Sequence, residues 1–143
     1  MTPRLEETTM PEDLADATRI RSYHAHIYYD ASTRPLAERL REAIGSGFDV
    51  RVGNWHDEPV GPHPVSMYQI AFPVAEFARI VPWLMLNRGG LNVLVHPETT
   101  DAYDDHTINA MWLGTTLPLR LEVLRRASRS RPGAICGRQA AGR

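Results

Sequence analysis

The chain has no lysine, a single cysteine and no apolar run long enough to cross a bilayer. Each shortage excludes something. The lone Cys136 cannot close an internal disulfide, so packing must hold the fold, and a reducing cytoplasm is the expected compartment. The longest apolar stretch, VAEFARIVPWLML, is interrupted by Glu76, Arg79 and Pro82 and falls short of the roughly 20 residues a membrane helix needs. The opening segment MTPRLEETTMPEDLADATR has no apolar block, so no signal peptide is expected. A net charge of -1 gives no reason to expect nucleic acid as a partner. All basic residues are arginine, but exposed positions rarely require Arg over Lys, so this carries no mechanism.

Length and composition fit one ordinary globular domain with a real core. Residues 1–19 are polar and aperiodic and are expected to be a flexible lead. Residues 20–124 carry the regular hydrophobic patterns. Residues 125–143 hold six arginines and no acid, and are expected to be a disordered, solvated tail.

Within the domain the patterns alternate between strand and helix. IRSYHAHIYYD reads as a strand. Thr33 and Pro35 then mark a helix start, and Leu36, Leu40 and Ile44 give it one apolar stripe, ended by Gly45–Ser46–Gly47. FDVRVGNW alternates as a second strand, HDEPVGPHP is a loop, and VSMYQIAF is a third strand. VAEFARIVPWLMLN places Val74, Phe77, Ala78, Val81 and Met85 on one helix face, with Pro82 expected to kink it. LNVLVH is a fourth strand, and LPLRLEVL alternates as a short fifth.

The order β-α-β-β-α-β is the ferredoxin-like, split-βαβ arrangement of an α+β domain. Short right-handed connections then predict an antiparallel sheet in the order 4-1-3-2, with both helices on one face. Strand alternation sends Ala25, Ile27 and Tyr29 toward the helices and His24, His26 and Tyr28 toward the uncovered face. That face needs a lid, a ligand or a second subunit. Two such sheets packed together would make a dimeric α+β barrel.

Strand four runs beside strand one in this topology, so His96 should lie near His24 and His26. His106, in the Asp-rich loop, could fold back over the same place. His63 belongs nominally to the opposite end of the sheet and needs its loop, or a partner subunit, to reach across. Converging neutral imidazoles are ligands for iron, copper, nickel or zinc. Ordinary hydrogen-bonded histidines are the plainer reading of a lone His-x-His. Arg51 and Arg88 could clamp a carboxylate, with surface charge as the plainer reading. Tyr23, Tyr28, Tyr29 and Tyr68 could stack on an aromatic ligand or simply pack. Trp55, Trp83 and Trp112 read as core.

YHAHIYYD, GPHPVSMYQIAF, LNRGGLNVLVHPET and DDHTINAMWLG resemble, in order and spacing, the DOPA 4,5-dioxygenase family, over residues 20 to 120. The resemblance implies a homodimeric ferredoxin-like protein that cleaves catechols by the extradiol route with non-haem Fe(II) and O2. It implies DOPA or a related catechol as substrate, the DOPA product being a seco-DOPA that cyclises to pigments. The family's histidines fall on His24, His26, His63, His96 and His106. We take His24, His26 and His96 as metal ligands and His63 and His106 as acid–base residues. Arg51, Tyr68 and Arg88 are taken as substrate contacts. Glu98, Asp104 and Asp105 are the carboxylates that could complete a 2-His-1-carboxylate set, although an all-His set equally describes Zn or Ni. The competing functions are a non-catalytic module binding a small aromatic or a metal, and a Zn-dependent enzyme on the same site.

Overall fold

The computed structural model describes residues 13–130, with residues 126–130 described as backbone only. β1 (Ser22–Tyr28) leads into α1 (Arg34–Gly47). Pro35 sits in the first turn, where its missing N–H has no helical partner to lose. Ala37, Leu40 and Ile44 form the buried stripe, and the Gly45–Gly47 run makes the helix's last turn rather than stopping it beforehand.

β2 (Arg51–Val52), β3 (Met67–Pro73), α2 (Phe77–Asn87) and β4 (Val93–Glu98) follow. A 3-10 turn at Val74–Glu76 precedes α2 and changes its phase. Ile80, Val81 and Leu84 are therefore buried, while Val74 and Met85, expected on the inner face, are exposed. The buried Glu76 anchors this turn by accepting the Asp49 N–H at 2.6 Å and pairing with Arg79 at 2.8 Å. α2 runs through Pro82 as one helix.

Beyond β4 come α3 (Ala102–His106), β5 (Met111–Leu113) and α4 (Leu121–Ser130). The strand expected at Leu117–Val123 is not one. Pro118 lacks the N–H that a ladder needs, Leu117 and Leu119 pack on an apolar cluster, and α4 has begun by Leu121. α4 also takes in residues 125–130 of the expected tail. The remainder of that tail, with Cys136, and residues 1–12 lie outside the described residues.

The fold is α+β, with a five-stranded antiparallel sheet in the order β2-β3-β1-β4-β5. The sheet is open, with β2 and β5 as its edges, and does not close into the expected barrel. One face carries the main core, in which Ala25, Ile27, Tyr68, Ile70, Val93 and Val95 pack against α1 and α2. The other face is not bare. The loop of residues 54–66 folds across it, and α3 lies over β4 with α4 packed against α3. Helices therefore cover both faces, and the chain itself supplies the lid that the sequence left to a second subunit.

Gly114 closes the turn after β5 at φ +87°, and a Cβ there would lie 2.5 Å from Asn92 Oδ1. That oxygen is held in place by accepting the Thr115 N–H at 2.8 Å. Gly114→Ala should therefore destabilise the fold by about 1–3 kcal/mol in equilibrium urea unfolding. An unchanged midpoint would mean that the turn relaxes freely.

Candidate metal centre

Strand alternation sets His24, His26 and Tyr28 of β1 on the face away from α1 and α2. In the β1–β4 ladder His96 stands directly opposite His24, so the two rings share that face. His63 arrives from the Pro-rich loop. The loop is folded back by two backbone bonds between His56 and Met67, both 2.9 Å, and by a turn at Gly61 with φ +53°. Arg120 N–H then donates to the Pro62 carbonyl at 2.8 Å, tying the loop to the segment before α4. No partner subunit is needed to bring His63 in. His106 ends α3, whose N-terminus is capped by Asp101. Asp105 steadies α3 by accepting Thr99 N–H at 2.8 Å and Thr99 Oγ1–H at 2.6 Å.

All five rings are buried, from 0% exposure at His26 to 8% at His106. Ring centroids are 4.1 Å apart for His26–His63, 4.0 Å for His96–His106 and 5.2 Å for His24–His96. Two overlapping triads bring one nitrogen per ring within 4.8 Å of the others: His24, His26, His96 and His26, His63, His106.

The partners of the outer nitrogens sort the tautomers. His96 Nδ1 donates to the Pro97 carbonyl at 2.9 Å, and His106 Nδ1 donates to the Ala102 carbonyl at 2.7 Å. A carbonyl can only accept, so each neutral ring keeps its lone pair on Nε2. His24 Nδ1 lies 3.1 Å from Glu98 Oε1, an electrostatic contact off the ideal hydrogen-bond angle, and the carboxylate favours a proton there too. An outer N–H held by a carbonyl or carboxylate is the usual support of a metal-binding imidazole.

These residues fit a divalent metal. His26 Nε2 and His96 Nε2 are 3.0 Å apart. Two nitrogens about 2.1 Å from one metal and at right angles would be about 3.0 Å apart. His26 Nδ1, moreover, is buried and makes no hydrogen bond among the described residues. Burial first, then the neighbouring imidazoles, hold His26 and His96 well below the usual histidine value, so both are neutral near pH 7, the form in which an imidazole can bind a metal.

The carboxylates stand around this set rather than in it. Glu98 touches His24, and lies 3.8 Å from His96 Nδ1. Asp105 is engaged by Thr99, and Asp104 donates its backbone N–H to Asp101. Among the described residues the groups able to hold a metal are all-histidine.

The substrate-contact residues scatter. Arg51 shares the histidine face, one strand beyond Ala71, which itself faces His24. Tyr68 is fully buried on the other face, its hydroxyl donating to Ala37 O at 2.9 Å beneath α1. Arg88 caps α2 and donates to Met85 O at 3.2 Å, also away from the histidines. Two aromatic residues border the cluster instead: Tyr28, read as a stacking or packing residue, and Trp112, read as core. Tyr28 Oη lies 2.7 Å from His63 Nδ1, and Trp112 stacks on Tyr28 at 5.8 Å. Alternation from His26 had put Tyr28 on the right face, but nothing in the sequence paired it with His63. A cleft of about 440 Å³, lined by Trp112, Leu117, Pro118 and Leu119, opens beside His106.

Metal-free protein should lose stability as the pH falls. The folded-state values of His26 and His96 lie below the unfolded value of about 6.5, so above that pH both rings are neutral in both states. Below it the unfolded chain takes up protons that the folded cluster cannot. Stability should then fall by up to about 1.4 kcal/mol per pH unit for each ring. Urea midpoints between pH 7.5 and 5.5 check this, and a flat profile would mean that the rings are not desolvated.

Residues 23–123 match the sequence profile of the Dopa 4,5-dioxygenase family. An uncharacterised 21.2 kDa protein of Botryotinia fuckeliana is 37% identical over 117 residues, 73% of this chain and 64% of its own length. A DOPA 4,5-dioxygenase of Amanita muscaria is 36% identical over 113 residues, 73% of this chain and 50% of that enzyme. The chain thus spans between half and two thirds of the length of these relatives. A crystal structure of a candidate dioxygenase from Nostoc punctiforme matches with a TM-score of 0.78 and 51% identity, covering 79% of this chain and 98% of that one. With the profile covering most of its described length, the chain belongs to the Dopa 4,5-dioxygenase family, an extradiol dioxygenase family.

Proposed function

We propose that this protein is an extradiol ring-cleaving dioxygenase that opens DOPA or a related catechol with non-haem Fe(II) and O2. The observation that carries the reading is the convergence of five buried imidazoles on one sheet face of a chain in this family. His24, His26 and His96 would hold the metal. When bound, Fe(II) supplies positions for the catechol oxygens and for O2, whereas Zn(II) would fill the same donors without redox chemistry. In the overall reaction one ring C–C bond beside the diol breaks and both atoms of O2 enter the product. No external reductant is consumed.

The protein's own work is proton handling, orientation and exclusion of water. His106 is the base: its Nε2 lone pair takes a catechol hydroxyl proton, while Nδ1–H stays on the Ala102 carbonyl. His63 meets the substrate oxygens. The cleft beside His106 is walled by leucines and Trp112, so it suits an aromatic ring. Of the two arginines, Arg51 stands on the histidine side of the sheet and is our candidate for the DOPA carboxylate. We place the enzyme in the cytoplasm. The homodimer belongs to the proposal too, on a surface other than the histidine face, and sedimentation equilibrium would test it. Among the described residues no helix is long and apolar enough to cross a membrane.

Protein loaded with Fe(II) without air, mixed with L-DOPA and then aerated, should turn yellow and take up one O2 per substrate. No oxygen uptake with any catechol at full iron loading would sink the dioxygenase reading. In metal analysis, His24→Ala, His26→Ala and His96→Ala should each lose the ion. His63→Ala and His106→Ala should keep it and lose turnover by about 100-fold or more. Retained metal in His24→Ala, together with loss in His63→Ala, would shift the ligand set to the second triad.

A further inference from the structure

The histidine cluster is closed. His26 is 0% exposed and His63 and His96 are 1% each, so a water molecule touches almost none of these rings. A larger ligand can join a metal held there only after one of the covers moves. Three segments lie over this face, and they are not equally held. The Pro-rich loop is closed at its base by the two His56–Met67 bonds. Tyr29 secures it further, its N–H donating to Ser66 O at 3.1 Å and its hydroxyl to Asp57 Oδ1 at 2.8 Å. α3 has its Asp101 cap and the two bonds from Thr99 to Asp105. Residues 115–120, between β5 and α4, have far less. Thr115 N–H donates to Asn92 Oδ1 at 2.8 Å at one end, and Arg120 N–H to the Pro62 carbonyl at 2.8 Å at the other. Among the described residues, 116–118 make no hydrogen bond.

What holds the middle of this segment is packing, Leu117 and Leu119 lying on the cluster of Tyr28, Met67 and Leu94. Leu117, moreover, has space on both sides. It walls the cleft of about 440 Å³ beside His106 and a second one, of about 240 Å³, that reaches Tyr28. A close-packed core side chain has no such room. Few bonds, apolar packing on one side only and space to move into are the marks of a segment that opens locally while the rest of the fold stays closed.

We propose that residues 115–120 are a strap that gates the histidine site, with the bond from Arg120 N–H to the Pro62 carbonyl as its latch. Breaking the latch and lifting Leu117 off Tyr28 joins the two clefts into one passage. That passage ends at His63, 2.7 Å from the Tyr28 hydroxyl and with its ring centroid 4.1 Å from that of His26. Its walls are apolar, with Trp112 along one side, so it suits a small planar aromatic molecule. That this molecule is a catechol rests on the dioxygenase reading; the gate does not. Motions of such straps commonly set how fast ligands enter and leave a buried site.

The test is amide hydrogen exchange of the zinc-loaded full chain, read by NMR, with zinc release to the planar chelator dipicolinate as a second readout. The Arg120 amide should exchange faster than the His56 and Asp105 amides, which report on the loop and on α3. Zinc release should level off as dipicolinate is raised, because opening comes first. Proline lacks the N–H of the latch, so Arg120→Pro should raise that plateau rate about 10-fold, the worth of one net hydrogen bond. Arg120→Ala keeps the N–H and should release zinc at the wild-type rate. Leu117→Ala removes the packing instead and should also speed release, which keeps the test open if Arg120→Pro folds poorly. Nitrocatechol, followed by its absorbance, should bind the zinc protein faster in the same two variants. Exchange at His56 or Asp105 ahead of Arg120, or wild-type release rates in both Arg120→Pro and Leu117→Ala, would overturn the gate. Gated zinc release from a protein that binds no catechol would uphold the strap and remove the dioxygenase reading instead.

Discussion

The antiparallel pairing of β4 against β1 is the constraint from which the rest of the site follows. It sets His96 directly opposite His24 and brings Leu94 opposite His26. A slip of one residue would turn every side chain of β4 to the other face. His96 would then point into the core under α1 and α2, where Val93 and Val95 now pack, and the triad of His24, His26 and His96 would be lost. The apolar face of β4 thus holds the register that the histidine face uses. Stability and site are coupled through one ladder.

Five desolvated imidazoles at one place are tolerable only if they are neutral. Burial and mutual repulsion both push in that direction at His26 and His96. Neutral rings, however, must each choose which nitrogen carries the proton, and the choice is made outside the cluster. The Pro97 and Ala102 carbonyls and the Glu98 carboxylate favour one choice for three rings, and the Tyr28 hydroxyl meets Nδ1 of a fourth, His63. His26 alone has no such partner at Nδ1 among the described residues, and it is the ring common to both triads. What a histidine can do here is governed by what stands behind it.

The covering of the histidine face matters as much as its contents. The Pro-rich loop and α3 approach from different parts of the chain, and the bond from Arg120 to Pro62 ties the loop to the segment before α4, which packs on α3. Because these segments bury the cluster, a second sheet cannot pack there, and an open sheet with both faces covered replaces the barrel. The same segments create the apolar cleft beside His106, so the lid and the approach to the site are one structure.

Much of this was legible in strand alternation. The period of two put His24, His26 and Tyr28 together, and the order of elements placed β4 beside β1, which brought in His96. The family motifs then named His63 and His106. Local pattern failed where long-range contacts choose the conformation. The phase of α2 depended on Glu76 finding Asp49 and Arg79, and Leu117–Val123 alternated without a strand neighbour to pair with. Tyr68, an aromatic strand residue like Tyr28, went to the opposite face because the β1–β3 register pairs it with Ile27. The sequence by itself determined which residue types share a face, since side-chain direction follows from backbone period. Only the tertiary structure decided that the chain covers its own site, and which carbonyls hold the Nδ1 protons of His96 and His106. Those depend on contacts between distant segments, such as the bond from Arg120 to Pro62, whose energies no local pattern contains.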